Sequence, residues 1–360
     1  MSSTQLSVLF FVYMTGSAII FNPTPLIERS GNAAWLSLLL AGAIGYAILA
    51  MLLHLHRRFP GMSYVDISRA LIGSVLTVMI GFATLTYLLQ MQAAIVVGVG
   101  LFMINSMMRE TPIYAFTFLI FLISAMTARA GIEVMARMFT LLLIITSLFT
   151  FIVLLLALPN YEPSSLFPMF PKGIKPVFHG AYYSFGFPYS EVFLCGMFLP
   201  YAAKRMRGSL PKKMYIALSC NIVLLMLTTV CSIMVFGPYA AEVPYLLFSI
   251  ARVVEFQDII QRIESVIGIS LILGSYMKTT ISLFFISIFV SKLFGLRESS
   301  AIVMPIALVG FLMGLATYKS ATQWLFIINS IHPLWTGAVF LAPLLLLTLV
   351  AFFRKKSPSA

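Results

Sequence analysis

The sequence is poor in what a water-soluble domain displays on its surface. Only 9% of its 360 residues are charged, against about 25% in soluble globular chains. That excludes a solvated globular domain and a disordered segment alike. Cysteine is scarce. Cys195, Cys220 and Cys231 form neither a C-x-x-C pair nor a metal-ligand spacing, so a disulfide framework and a zinc site are not expected, and the thiols read as free and buried. A Gly-rich phosphate loop and a His/Cys/Asp cluster are also missing, so neither an enzyme, a cofactor nor a metal is expected. Basic residues exceed acidic ones by 12. The run KRMRGSLPKK (204–213) could serve a nucleic acid, but it reads better as a topology-setting loop, and no nucleic-acid partner is expected.

What the chain has is apolar residues, at 61%. Continuous runs near the ~20 residues that cross a bilayer recur throughout. Strands of a closed barrel would alternate instead. The runs predict an all-α polytopic membrane protein of about ten spans, at roughly 5–27, 33–55, 74–102, 112–128, 134–158, 180–201, 214–236, 258–291, 301–318 and 323–352, forming one transmembrane domain over 1–360. The N-terminal run ends in small residues, like a cleavable signal. No basic residue precedes it and the apolar stretch resumes at Ile19, so it reads as the first span.

Charge sets the orientation. With both termini inside, the inner segments hold Arg57, Arg58, Arg69, Arg129, Arg137, Lys204, Arg205, Arg207, Lys212, Lys213, Lys292, Arg297, Arg354, Lys355 and Lys356. The outer ones hold Arg29, Arg109, Lys172, Lys175, Arg252, Arg262 and Lys319. Fifteen against seven places both termini in the cytoplasm. The Pro-rich stretch 159–176 reads as an ordered outer cap. The stretch 242–262 reads as an interfacial or re-entrant helix over the outer face, and 57–73 as a short amphipathic cytoplasmic helix.

Two spans carry helix breakers. Span 1 has Gly16, Ser17 and Ala18 at mid-depth, with Pro23 and Pro25 beyond. Span 6 has Gly186 and Pro188 followed by Glu191. Interrupted spans in corresponding positions of two halves point to a transporter-type binding site. Backbone groups freed at such breaks persist only inside the bundle or beside a wet cavity, and there they can hold a zwitterion. Glu191 needs a partner or a proton. It could cap freed N–H groups, hydrogen-bond to span 1, or gate. Lys278, in span 8, could snorkel to the inner interface or supply a fixed positive charge. Tyr87 and Gln90 add polar groups to span 3 as a core pair or a site wall. His332, before Pro333, reads as a helix-kink partner.

GIEVMAR (131–137), FPYSEVFL (187–194) and QRIES (261–265), in that order and in those places, resemble the B subunit of spore germinant receptors. That family is a branch of the amino acid–polyamine–organocation transporter superfamily. The resemblance spans roughly residues 4–353 and implies a five-plus-five inverted repeat of the leucine-transporter type. Its first repeat would cover about 5–158 and its second about 180–352. It also implies a ligand site between broken spans 1 and 6, walled by spans 3 and 8. Carried over by position, the site comprises Gly16, Ser17, Ala18, Tyr87, Gln90, Phe185, Gly186, Phe187, Tyr189, Gly274, Ser275 and Lys278, with Pro188 and Glu191 structural or gating. Sodium-coupled relatives hold an ion near the inner part of span 8, where Lys278 would substitute a tethered charge. The implied function is nutrient sensing in the spore inner membrane, with an A subunit and a lipoprotein C subunit, triggering germination. A working amino acid or amine permease and a non-binding structural or channel subunit are the alternatives.

Overall fold

A backbone in lipid must satisfy its N–H and C=O groups within its own segment, so long apolar runs become helices. The computed structural model describes residues 1–171, 173–202, 208–254 and 263–353, and no strand occurs among them. Span 1 is Ser3–Thr15 continued by Ala18–Phe21. It starts at a capping box in which the Ser2 hydroxyl accepts from the Gln5 N–H and the Gln5 side chain accepts from the Ser2 N–H. Spans 2 to 5 are Ala34–Arg58, Ser74–Ser106, Ile113–Arg129 and Ile132–Leu156. Span 6 is Lys175–Gly186, then the 3₁₀ segments Tyr189–Met197 and Leu199–Tyr201. Spans 7, 8 and 9 are Leu210–Phe236, Glu264–Phe294 and Val303–Thr317. Span 10 runs from Ala321 to Phe353 with π-helical turns at Ile327–Ile331 and Gly337–Leu341.

Eight helices among the described residues are long and apolar enough to cross a membrane. Span 4 is a shorter apolar helix, and span 6 is cut into pieces too short to qualify singly. With these two the ten expected spans are all present. Spans 1, 3 and 8 form the inner layer, 72–83% buried, whereas spans 5 and 9 are 22% buried and face outward. Exposed Leu141, Ile144, Leu148 and Phe151 on span 5 suit hydrocarbon.

The connecting segments are ordered. The amphipathic helix expected over 57–73 is Tyr64–Ile72, with a Ser63/Asp66 capping box. Arg69 donates to the Leu293 carbonyl at 2.7 Å and Lys292 lies 3.5 Å from Asp66, which ties this helix to the end of span 8. The 159–176 cap is held where the Glu162 N–H donates to the Met234 carbonyl and Asn32 to the Pro168 carbonyl. The helix Leu246–Val253 buries Leu246, Leu247, Phe248 and Ile250 against the bundle. Residues 255–262, and with them Arg262 and the first two residues of QRIES, lie outside the described residues. So do Lys172, residues 203–207 of the basic loop, and the C-terminal Arg354, Lys355 and Lys356. One cysteine departs from expectation. Cys195 and Cys231 are buried, but Cys220 is exposed. It shares a helix face with exposed Ile216 and Val223, and a thiol on such an apolar face needs no polar partner.

The basic asymmetry makes a topological prediction. In a background freed of the native cysteines, a membrane-impermeant thiol reagent is expected to reach a Cys placed at Ser164 only from outside and one at Ser209 only from inside. Labelling of both from one face would contradict the ten-span path.

Candidate ligand site at the broken helices

Span 1 stops at Thr15 and resumes at Ala18, and between them Gly16 meets span 8 backbone to backbone. A Cβ on Gly16 would lie 2.5 Å from the Gly274 carbonyl oxygen, and one on Gly274 would lie 2.5 Å from the Gly16 carbonyl oxygen. These glycines fill each other's space. Their smallness serves helix contact. Pro23 opens the next helix, Pro23–Ser30, where its missing N–H costs nothing.

Span 6 breaks at Phe187, whose backbone is extended (φ −147°, ψ 115°), and at Pro188. It then continues as nine residues of 3₁₀ helix, far longer than the usual 3–4, a form that often marks a functional hinge. Gly186 is packed, not open. A Cβ there would lie 2.5 Å from Cγ of Pro333 in span 10. The span 6 break is tied to the segment that follows the span 1 break, since Asn22 Nδ2 donates to the Phe187 carbonyl at 2.7 Å, fully buried. Asn22→Ala is therefore expected to lower stability by about 1–3 kcal/mol, because it orphans that carbonyl. A thermal melt of the purified protein checks this, and an unchanged melting temperature would contradict it.

Below the break sits a buried ion pair. Lys278 Nζ donates to Glu191 Oε2 at 2.6 Å, with the two side chains 0% and 1% exposed. The Lys278 ammonium also lies 4.4 Å from the Phe187 ring centroid and 5.2 Å from that of Tyr13. Lys278 thus does not snorkel, and the partner of Glu191 is span 8 and not span 1. The other carboxylate oxygen, Oε1, is buried with no hydrogen-bond partner among the described residues.

Glu191 borders a cavity of about 340 Å³ enclosed by spans 1, 3, 6 and 10 and by the segment 241–245. Its buried lining includes Ser17, Met91, Phe187, Glu191, Trp324 and His332, and the exposed Glu28 and Glu242 stand at its mouth. Of the residues that sequence assigns to the site, Ser17, Phe187 and Glu191 meet this cavity, as does His332, read from sequence as a helix-kink partner. The rest are placed nearby in other roles. Tyr87 is buried, and its hydroxyl pairs with His332 Nε2 at 2.5 Å, so it supports a cavity residue from behind. Gln90 donates to the Tyr318 hydroxyl at 2.9 Å. The Tyr189 ring packs against Gly45 of span 2. Phe185 faces Gly337, and Ala18 and Ser275 are buried off the cavity. Gly16 and Gly274 border a second, apolar cavity of about 610 Å³ among spans 1, 5, 7 and 8.

Sequence reasoning missed the contribution of span 10. Trp324, Asn329 and His332 line the cavity. His332 follows the π-turn Ile327–Ile331 and its ring interacts with the Gly186 backbone. Polar Asn329 and His332 within an apolar span were the available signal, and π-turns gather at functional sites.

Two interrupted helices crossing at an enclosed cavity, inside an all-helical bundle, define a multi-pass membrane protein of the leucine-transporter fold. Solved transporters share that fold. MhsT in complex with L-phenylalanine has a TM-score of 0.67 at 12% identity, over 96% of this chain and 98% of that one. Mhp1, a nucleobase-cation-symport-1 family transporter, has a TM-score of 0.68 at 14% identity, over 94% of this chain and 75% of that one. A manganese transporter mutant of Eremococcus coleocola has 0.67 at 13% identity, over 98% and 81%. In sequence, spore germination protein KB of Bacillus subtilis (strain 168) is 25% identical over 99% of this chain and 95% of its own length. Spore germination protein YndE of the same organism is 23% identical over half of each chain. The profile described as spore germination protein matches residues 1–323, and the chain belongs to that family.

Proposed function

We propose that this protein is the nutrient-sensing membrane subunit of a germinant receptor in the inner membrane of a spore. A small molecule such as an amino acid would bind between broken spans 1 and 6, and an A subunit and a lipoprotein C subunit would complete the receptor. The observation that carries this reading is the cavity of about 340 Å³ lined by Glu191, whose carboxylate is paired with buried Lys278, a volume at the small end of ligand pockets, about 300–1,000 Å³. Sensing requires only that the ligand favour one arrangement of the bundle over another. The 3₁₀ segment after Pro188 and the Asn22 bond to Phe187 link span 6 at its break to the segment after the span 1 break. Both termini would be cytoplasmic, and the two repeats would meet in the 159–179 segment.

The test is the thermal stability of the purified protein against a panel of the twenty amino acids and common sugars, paired with germination of spores lacking the gene. Stabilisation by a compound to which the deletion spores no longer respond supports the reading. No stabilisation by any compound removes it and leaves a structural subunit. The solved relatives are transporters, and concentrative uptake by the protein alone in vesicles would convert the reading to a permease. Because Lys278 places a positive charge beside span 1, exchange of sodium for N-methylglucamine is expected to leave ligand-induced stabilisation unchanged. A strict sodium requirement would contradict the tethered-charge role.

A further inference from the structure

We infer that the cavity takes its ligand as an organic cation, with an ammonium group docked on Glu191 Oε1 and an apolar body lying among the aromatic walls; this rests on the ligand site proposed above. Glu191 lines the cavity, and its buried Oε1 lacks a hydrogen-bond partner among the described residues, while its sister oxygen is occupied by Lys278. A buried carboxylate oxygen left without a donor is costly. A ligand that brings an N–H⁺ donor removes that cost, whereas one that brings a second carboxylate adds repulsion.

The rest of the lining agrees. Its charged members are Glu28, Glu191 and Glu242, and neither a lysine nor an arginine lines it. Lys278 lies behind the Phe187 ring and does not border the cavity. Arg29, near the mouth, is committed to the Pro25 carbonyl, to Glu28 at 3.4 Å, and to the face of Tyr183 at 5.0 Å. An acidic mouth over a low-dielectric funnel concentrates cations and repels anions. Ring faces attract cations as well, and Phe21, Tyr183, Phe187, Tyr245 and Trp324 supply them. A metal ion is a poorer occupant, because no three His, Cys, Asp or Glu side chains converge among the described residues. Helix ends do not supply an anion site either: the segment after the span 1 break, Ala18–Phe21, is a single turn.

The experiment compares three compounds of one shape by thermal stabilisation of the purified full chain: isoamylamine, L-leucine and 4-methylpentanoate. The amine is expected to stabilise at least as well as leucine, and the acid not at all. Glu191→Gln alone leaves Lys278 unpaired, so the binding variant is the double change Glu191→Gln with Lys278→Met. It is expected to weaken isoamylamine by about 10- to 100-fold, the value of one charged hydrogen bond. Glu242→Gln at the mouth, which leaves the buried pair intact, is expected to weaken it several-fold and only at low salt. Binding of 4-methylpentanoate as tightly as isoamylamine, or of leucine without isoamylamine, overturns the inference. So does wild-type affinity for isoamylamine in the double variant. If the wider nutrient panel stabilises the protein only with neutral or anionic members, the cation inference falls and the sensor reading stands. If no member of the panel stabilises it, both fall.

Discussion

Lys278→Met is expected to reduce the protein to a small fraction of its normal membrane abundance. The substitution keeps the length of the side chain and removes the ammonium that neutralises Glu191 at 2.6 Å. An uncompensated charge remains where the partner side chains are 1% and 0% exposed. Breaking a buried pair from one side costs about 3–5 kcal/mol, of the order of the whole stability of many domains. The same logic predicts a rescue. When Glu191→Gln is added, no charge is left behind, and most of the lost stability should return, because a buried pair contributes little net of its desolvation. Quantitative immunoblotting of membranes, with a melting curve in detergent for each variant, reads both effects. Normal abundance and melting of Lys278→Met would mean that the pair does not form. Failure of the double variant to recover would mean that the lysine has a structural role beyond neutralising Glu191.

The second large effect is expected at the contact of spans 1 and 8. Gly274→Ala adds one methyl group, yet that carbon would stand 2.5 Å from the Gly16 carbonyl oxygen and 3.1 Å from the carbonyl carbon. The neighbour is main chain, which cannot swing aside as a side chain can, so the two helices must separate along their length. A loss of at least ~3 kcal/mol is expected, at the upper end of overpacking. Gly310→Ala is the comparison. Its Cβ would meet the edge of the buried Phe121 ring at 2.9 Å, and a side chain can shift where main chain cannot, so a loss nearer ~1 kcal/mol is expected. Equal melting temperatures for the two variants would contradict the backbone contact and reopen Gly16 and Gly274 as ligand-facing positions.

The fold was legible because lipid imposes length and apolarity on every span. The run at 74–102 became Ser74–Ser106 and that at 214–236 became Leu210–Phe236, errors confined to ends that extend past the hydrocarbon. The breaks were legible for a related reason: Gly16, Gly186 and Pro188 are poor helix formers at depths where a helix is obligatory. What those residues face was not legible. Spans 3 and 8 scatter their polar residues around the helix, so no single polar stripe marks the side turned to a cavity. Sequence therefore does not distinguish Gly274 and Ser275, which do not line the 340 Å³ cavity, from Met91 and Trp324, which do. The Glu191–Lys278 pair was within reach. An acid and a base each isolated in an apolar span are the natural partners of one another, but 87 residues separate them, and each was weighed alone.

The central claim is that a nutrient occupies the cavity between the two breaks. Ile328 lines that cavity from span 10 and is only partly buried, so Ile328→Trp fills ligand space without entering the core. The deciding measurement is ligand-induced thermal stabilisation of this variant beside the native protein, across the amino acid panel and isoamylamine. The native protein should gain the few degrees that follow from a ligand at about 100 times its Kd. Ile328→Trp should gain nothing, while accumulating and melting normally without ligand. A gain in Ile328→Trp equal to that of the native protein would place the ligand elsewhere and contradict the site.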